Sequence, residues 1–221
     1  MSNTARVGAV HALAASIEPT QAAFDRAWSD ADVAHLMDGS LYLDRSRGTA
    51  GPEEIAARID RLIRHSADSG AQGILFTGSF FGAAVRKART NVRVPVVASF
   101  EGVVQAALAL EQPLLVISTA PDSATLLAEE IGVEANNRGG SADVRTAVVD
   151  GAMQALVAGD SETHDKQVLD AIAALGDSRA IVIAQYSMER VIEQAMRSAS
   201  VPVLGSATEG VKLLRRLVEG G

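Results

Sequence analysis

The chain repeats itself. VPVVASFEGV, residues 94–103, returns as VPVLGSATEGV over 201–211 with one residue inserted. ILFTGSFFGAAVRKA (74–88) aligns with VIAQYSMERVIEQAM (182–196), and ADVAHLMDG (31–39) resembles ADVRTAVVDG (142–151). Three matches in the same order, at spacings of 107 to 111 residues, predict two similar halves. Within each half, short apolar runs alternate with longer segments of helical period, the pattern of an α/β fold. Strands are expected at 6–12, 32–38, 73–79, 94–99, 113–119, 144–150, 180–187 and 201–206. Several are apolar on both faces, as a parallel sheet covered by helices on both sides requires. The helix PEEIAARIDRLIRHSADSG has Pro52 in its first turn and Gly70 at its end, with Ile55, Ile59, Leu62 and Ile63 on one stripe. The expected architecture is α/β, with two pseudosymmetric domains, each a four-stranded parallel sheet flanked by helices. The first covers 1–98 and is completed by 207–221; the second covers 99–206; they pack face to face with the ligand cleft between them.

Composition narrows the function classes. A net charge of −7 disfavours a nucleic-acid partner, whose phosphates most of the surface would repel. No apolar run reaches the ~18 residues that a membrane span needs. The chain has no cysteine, which removes disulfides, thiolate metal sites, iron–sulfur clusters and thiol catalysis together, and is compatible with the cytoplasmic location expected here. The N-terminal MSNTARVGAVHALAAS has a leader-like composition, but Gly8 and His11 interrupt its apolar stretch. It reads better as a first strand followed by the helix EPTQAAFDRAW. The four histidines show no metal-ligand spacing. The glycines of NRGGSAD do not follow a strand as a nucleotide-binding loop requires. Arg86, Lys87, Arg89 and Arg93 close a helix, where cations offset its dipole.

Ligands of open parallel sheets bind outside the carboxyl ends of the strands. Those junctions read His11, Asp38-Gly39-Ser40, Thr77-Gly78-Ser79 and Ser99-Phe100-Glu101 in the first half, and Ser118-Thr119, Asp150-Gly151, Gln185-Tyr186-Ser187 and Ser206-Ala207-Thr208 in the second. Hydroxyls and glycines where helices begin suit a small anion, although they also serve as ordinary N-caps. Thr77-Gly78-Ser79 and Gln185-Tyr186-Ser187 occupy matching places in the repeat, which favours a functional role. The absent side chain at Gly78 is expected to leave room for substrate or water, or else marks a tight turn. Ser118 and Thr119 are candidates for the other end of the ligand. His11, at a strand end, is a candidate base or hydrogen-bond donor; His35, His65 and His164 are not expected to be catalytic. Asp38 and Glu101 have the counterparts Asp150 and Glu209. Buried carboxylates can do acid–base work, but Glu101 and Glu209 sit at helix starts, where a structural role suffices.

ILFTGSFFGAAV after one strand, AQYSM after its counterpart and two four-stranded halves resemble the aspartate/glutamate/hydantoin racemase superfamily, which also holds maleate isomerases and arylmalonate decarboxylases. The resemblance covers essentially the whole chain. It implies no cofactor and a small carboxylate held between the halves, with backbone N–H groups of Thr77, Gly78 and Ser79 and the Ser79 hydroxyl as its cradle. It also implies one cysteine after the third strand of each half, one deprotonating a carbon and the other reprotonating its opposite face. Those positions carry Gly78 and Tyr186. The decarboxylases also have glycine at the first but keep the second thiol; a subgroup with the Ala-Gln-aromatic-Ser-Met pattern keeps only the first. The two-thiol route is therefore closed to this chain. Tyr186 is left as proton donor, with Gln185 and His11 moving the proton or polarising the substrate, and Ser187 and Asp38 adding to binding. The resemblance implies an isomerase/racemase or decarboxylase-like lyase acting on a small carboxylate at an activated carbon. The alternatives are a non-catalytic carboxylate-binding homologue and an enzyme whose cysteine at position 78 has been replaced. No metal, nucleic-acid or membrane partner is expected, and homo-oligomerisation is left open.

Overall fold

The computed structural model describes residues 4–174 and 179–220. The chain divides into two compact units, Met1–Gly102 with Gly210–Gly221, and Val103–Glu209.

The first unit runs β1 (Arg6–His11), α1 (Ile17–Ala27), β2 (Asp32–Met37), α2 (Ser40–Arg47), α3 (Pro52–Asp68), β3 (Gly73–Phe76), α4 (Gly82–Ala88) and β4 (Val96–Val97). The next helix, α5 (Glu101–Ala109), leads into the second unit: β5 (Leu114–Ser118), α6 (Pro121–Asn137), β6 (Val144–Val148), α7 (Ala152–Val157), α8 (Ser161–Ala174), β7 (Ala180–Ile183), α9 (Ile192–Ser198) and β8 (Val203–Gly205). The last helix, α10 (Ser206–Glu219), returns to the first unit from residue 210 onward. All eight predicted strands form, each shorter than expected; that predicted at 94–99 keeps only Val96 and Val97 in the ladder.

Both sheets are wholly parallel and share one topology, β2-β1-β3-β4 and β6-β5-β7-β8. The chain moves outward from β1 to β2, then crosses back to β3 on the other side, so the strand order reverses between β1 and β3. It reverses likewise between β5 and β7. Such a reversal splays the following connections apart and opens a crevice at the carboxyl ends.

The inner strands β1, β3, β5 and β7 are buried almost throughout. The outer strands β2 and β6 are not: Ala34, His35 and Met37, and Arg145, Thr146 and Val148, are exposed. The expected sheets flanked by helices are present, with the sheet centres the most deeply covered and these two edges the least. In the first unit, Ile55, Ile59 and Ile63 of α3 pack with Ile74, Phe76, Phe81 and Val85. Gly73 has no side chain because α10 lies where one would go: a Cβ would stand 2.9 Å from Leu214 Cδ1 and 2.6 Å from Val218 Cγ2. Among the described residues no helix is long and apolar enough to cross a membrane.

Ladder register corrects the alignment of the repeat. Gly8 pairs with Ile74, and Leu115 with Ile181. Beyond the strands, Thr77 N–H donates to Val10 O and Ala184 N–H to Ile117 O, both at 3.0 Å. Phe81 N–H closes on Gly78 O and Met188 N–H on Gln185 O, both at 3.1 Å. The counterpart of Thr77 is thus Ala184, and that of Gly78 is Gln185. Tyr186, expected to match Gly78, corresponds to Ser79.

Candidate functional site

In each unit a side-chain hydrogen bond bridges the point where the strand order reverses. In the first unit it joins His11, the last residue of β1, to Thr77, the residue after β3: His11 Nδ1 lies 3.0 Å from Thr77 Oγ1, with both residues buried. His11 Nε2 lies 2.9 Å from His35 Nδ1 on β2, and the two rings stack with centroids 5.1 Å apart. Burial, reinforced by the neighbouring His35, lowers the His11 pKa to about 4; burial also lowers that of His35. His11 is therefore a neutral imidazole at physiological pH. His35 was not a sequence candidate.

Thr77 N–H is spent on Val10 O, because the β-ladder continues one residue past β3. The expectation that this amide helps cradle a carboxylate is thus overturned. Ser79, in the 3-10 turn Ser79–Phe81, hydrogen-bonds the Tyr42 phenol of α2, whose pKa burial raises against the opposing effects of Ser79 and Arg45. Tyr42 in turn meets the edges of Phe80 and Phe81 at 5.9 and 5.4 Å between ring centroids.

Gly78 has ordinary extended backbone, with φ −93° and ψ 103°, so no left-handed turn demands glycine there. A Cβ would stand 2.7 Å from Phe81 Cδ2, 2.8 Å from Phe76 Cε1 and 3.2 Å from Ala12 Cβ. The expected room for substrate or water is absent: two buried rings take up the space that a side chain would enter.

Asp38 follows β2 and is held from both sides. Its Oδ1 accepts from Ser40 N–H (3.0 Å) and Ser40 Oγ (2.5 Å), and its Oδ2 from Arg58 Nη2 (2.7 Å) and Nε (3.2 Å). Arg58 also reaches Asp44 Oδ2 at 2.5 Å and touches Ser40 Oγ. Burial pushes the Asp38 carboxyl up, but these hydrogen bonds together outweigh it and hold the group below its ordinary range. Asp38 is thus an anion engaged with Arg58 and Ser40. Glu101 is likewise engaged, accepting from Ala98 N–H (3.0 Å) and pairing with Arg89 (2.8 Å).

In the second unit the bridge runs from Ser118, at the end of β5, to Gln185, two residues past β7. Gln185 Oε1 is approached by three donors: Ser118 Oγ at 2.9 Å, Thr119 N–H at 2.6 Å and Thr119 Oγ1 at 2.7 Å. Ser118 Oγ also lies 2.8 Å from Ala120 O, and its single proton can serve one acceptor at a time. Three of the predicted residues are thus brought together, with the amide oxygen of Gln185 where a ligand oxygen could stand. Tyr186 and Ser187 open the 3-10 turn Tyr186–Val191 and are buried. Asp150 is exposed. Among the described residues no group of three or more His, Asp or Glu could hold a metal ion.

A model of the Asp/Glu/Hydantoin racemase family matches residues 14–214. The chain belongs to that family. Solved structures resemble this racemase-family fold at low identity. Allantoin racemase from Klebsiella pneumoniae is 18% identical with a TM-score of 0.75, covering 98% of this chain and 89% of its own. A glutamate racemase isoform from Bacillus anthracis is 11% identical with a TM-score of 0.68, covering 98% and 82%. An arylmalonate decarboxylase is 19% identical with a TM-score of 0.67, covering 98% and 93%. Among curated proteins none matches the chain. This family member carries no cysteine at all.

Proposed function

We propose that the protein is a cofactor-independent isomerase/racemase or decarboxylase-like lyase, acting on a small carboxylate at an activated carbon without a thiol. The observation that carries this reading is the Thr77–His11 pair: a buried, neutral imidazole hydrogen-bonded to a hydroxyl at the strand ends, in a racemase-family chain with no cysteine. A neutral imidazole can accept a proton, and an arriving carboxylate favours the imidazolium and so raises its basicity. Racemases and a decarboxylase are among the structural neighbours. Both kinds of reaction form a carbanion-like centre and then return a proton to it; they differ in what leaves the carbon first. In this reading Thr77, Gly78 and Ser79 meet the ligand in the first unit, and Asp38, through its ion pair with Arg58, supports that end. In the second unit Ser118 and Thr119 offer their converging donors to a carboxylate oxygen that takes the place of Gln185 Oε1. Tyr186 donates the returning proton and Ser187 adds a hydroxyl. A cytoplasmic location belongs to the same reading.

A carboxylate-binding homologue without turnover is the competing reading, favoured by the missing thiols and by the closure of Gln185 on its own donors. Replacement of a cysteine at position 78 fits less well, because Phe76 and Phe81 fill the place of its Cβ. The deciding experiment incubates the protein in D₂O with aspartate, glutamate and phenylmalonate, with NMR following the activated carbon and a parallel thermal-shift screen. Deuterium entry or loss of CO₂ is expected with at least one compound, reduced by roughly 100-fold or more in His11→Asn, as for loss of a positioned base. Stabilisation without exchange would transfer the case to the binder, and no response to any compound would remove both.

A further inference from the structure

The two histidines of the first unit belong to a longer chain of hydrogen bonds whose direction is fixed. On α1, Gln21 donates its amide N–H to Asp25 Oδ1 at 2.8 Å, which leaves Gln21 Oε1 as the acceptor 2.9 Å from His35 Nε2. His35 Nε2 therefore carries a proton, and its neutral ring offers Nδ1 to His11 Nε2–H at 2.9 Å. His11 in turn presents a bare Nδ1 to Thr77 Oγ1, so the hydroxyl is the donor. One amide orientation thus sets every donor from Thr77 outward through His11, His35 and Gln21 to Asp25. The inner end is buried, whereas His35 stands exposed on edge strand β2.

We propose that Thr77, His11 and His35 form a proton path between the strand-end site and solvent, with His35 as its outer station. A proton delivered to Thr77 Oγ1 releases the hydroxyl proton to His11 Nδ1, while His11 Nε2–H passes to His35 Nδ1. The net change is one proton lost by the donor and one gained by His35, with no electrons exchanged; His35 then returns a proton to water. Run backwards, the path supplies a proton to the site. The charge comes to rest on His35 rather than on His11 because His11 is wholly buried, whereas His35 is exposed on the edge strand and loses less hydration. Use of the path in turnover rests on the isomerase-or-lyase reading, whereas the path itself does not.

The test uses ¹⁵N-histidine-labelled full-length protein at neutral pH. Both rings are expected as Nε2–H tautomers, with rapid transfer of the His11 Nε2 proton to water measured by magnetisation exchange. His35→Gln keeps an amide oxygen that can accept from His11 but cannot relay a proton. It is expected to slow that transfer roughly 100-fold, the lower bound for losing a positioned proton carrier, without changing the His11 tautomer. An unchanged transfer rate in His35→Gln, or a His11 Nδ1–H tautomer in the unaltered protein, overturns the path. Should His35→Gln fail to fold, Gln21→Leu serves instead: with the direction-setting acceptor gone, an Nδ1–H population must appear at His35, and an unaltered tautomer refutes the chain. With any compound that exchanges deuterium, His35→Gln should lower kcat and leave KM in place. If none exchanges, the enzymatic reading fails while the NMR result still decides the path.

Discussion

Restoring a thiol at position 78 is the obvious manipulation in a racemase-family chain without cysteine, and the packing around Gly78 predicts that it carries a stability cost. A Cβ at this position would come 2.7 and 2.8 Å from ring carbons of Phe81 and Phe76. Those rings are 4% and 0% exposed and lie edge to face, 6.2 Å apart, so neither can swing into solvent. Overpacking of this kind costs about 1–3 kcal/mol. Against that, φ −93° is open to any residue, and losing glycine's freedom in the unfolded chain returns about 0.4–1 kcal/mol. At mid-range the net destabilisation of Gly78→Cys is therefore about 1.3 kcal/mol, or roughly 3–5 °C in Tm for a chain of this size. Urea unfolding followed by tryptophan fluorescence is a suitable assay, because Trp28, the sole tryptophan, is buried in the first unit. Gly78→Ala should show a similar loss, since the Cβ rather than the sulfur makes the contact. Phe81→Leu removes the nearer ring edge, so the double variant should be about 1 kcal/mol more stable than additivity predicts. A Gly78→Cys protein as stable as the unaltered one, or strictly additive with Phe81→Leu, would show that the rings do not fill this position.

Acid should weaken the first unit through His11. Its pKa falls from 6.5 to about 4 on folding, so the contribution is complete above pH 6.5, declines as the unfolded chain takes up the proton between 6.5 and 4, and levels off below 4. The loss is at most about 3 kcal/mol; the difference in unfolding free energy between unaltered and His11→Asn protein should track that window, and a flat difference would refute it. Gln185→Met removes the acceptor shared by Ser118 and Thr119 and should cost about 1–3 kcal/mol by calorimetry, whereas Gln185→Glu, still an acceptor, should cost less; equal losses would mean that the three donors do not depend on it. Glu189 is buried and accepts from the N–H groups of Ala207 (3.2 Å) and Thr208 (2.7 Å) at the start of α10. Glu189→Ala should therefore cost about 1–2 kcal/mol. Gly205→Ala, whose Cβ would run into the Glu189 carboxylate, should displace the same cap; unaltered thermal stability in both variants would sink the assignment.

The repeat and the eight strands were legible because the central strands of a parallel sheet must be apolar on both faces. Pattern alone did not separate the edges: β2 and β6 carry enough Val, Ala and Leu to read as covered strands, yet much of their length is exposed, whereas the opposite edges β4 and β8 are mostly buried. Matching Ser79 with Ser187 slipped the second half by one residue. Backbone ladders rather than similar side chains decide the true register, which pairs Gly78 with Gln185. His35 escaped notice for a related reason. Ala9 lies opposite His35 in the ladder, which puts His35 diagonally across from His11 on one face of the sheet, and a single sequence contains no inter-strand register. Histidines near the ends of two consecutive, adjacent strands were the available signal. Composition announced the empty side chain at Gly78 but not the two phenylalanines that close over it.

The return of α10 to the first unit has a consequence for how this protein is made. Arg215 donates to the Ala27 carbonyl at 3.1 Å, and Leu214 and Val218 cover the floor of β3 at Gly73. On the ribosome the N-terminal half therefore emerges with one flank of its sheet bare, and it stays bare while the other half is being synthesised. Only when α10 clears the exit tunnel can the portion that was born first be sealed, so a nascent chain stalled short of α10 presents sticky apolar surface to chaperones.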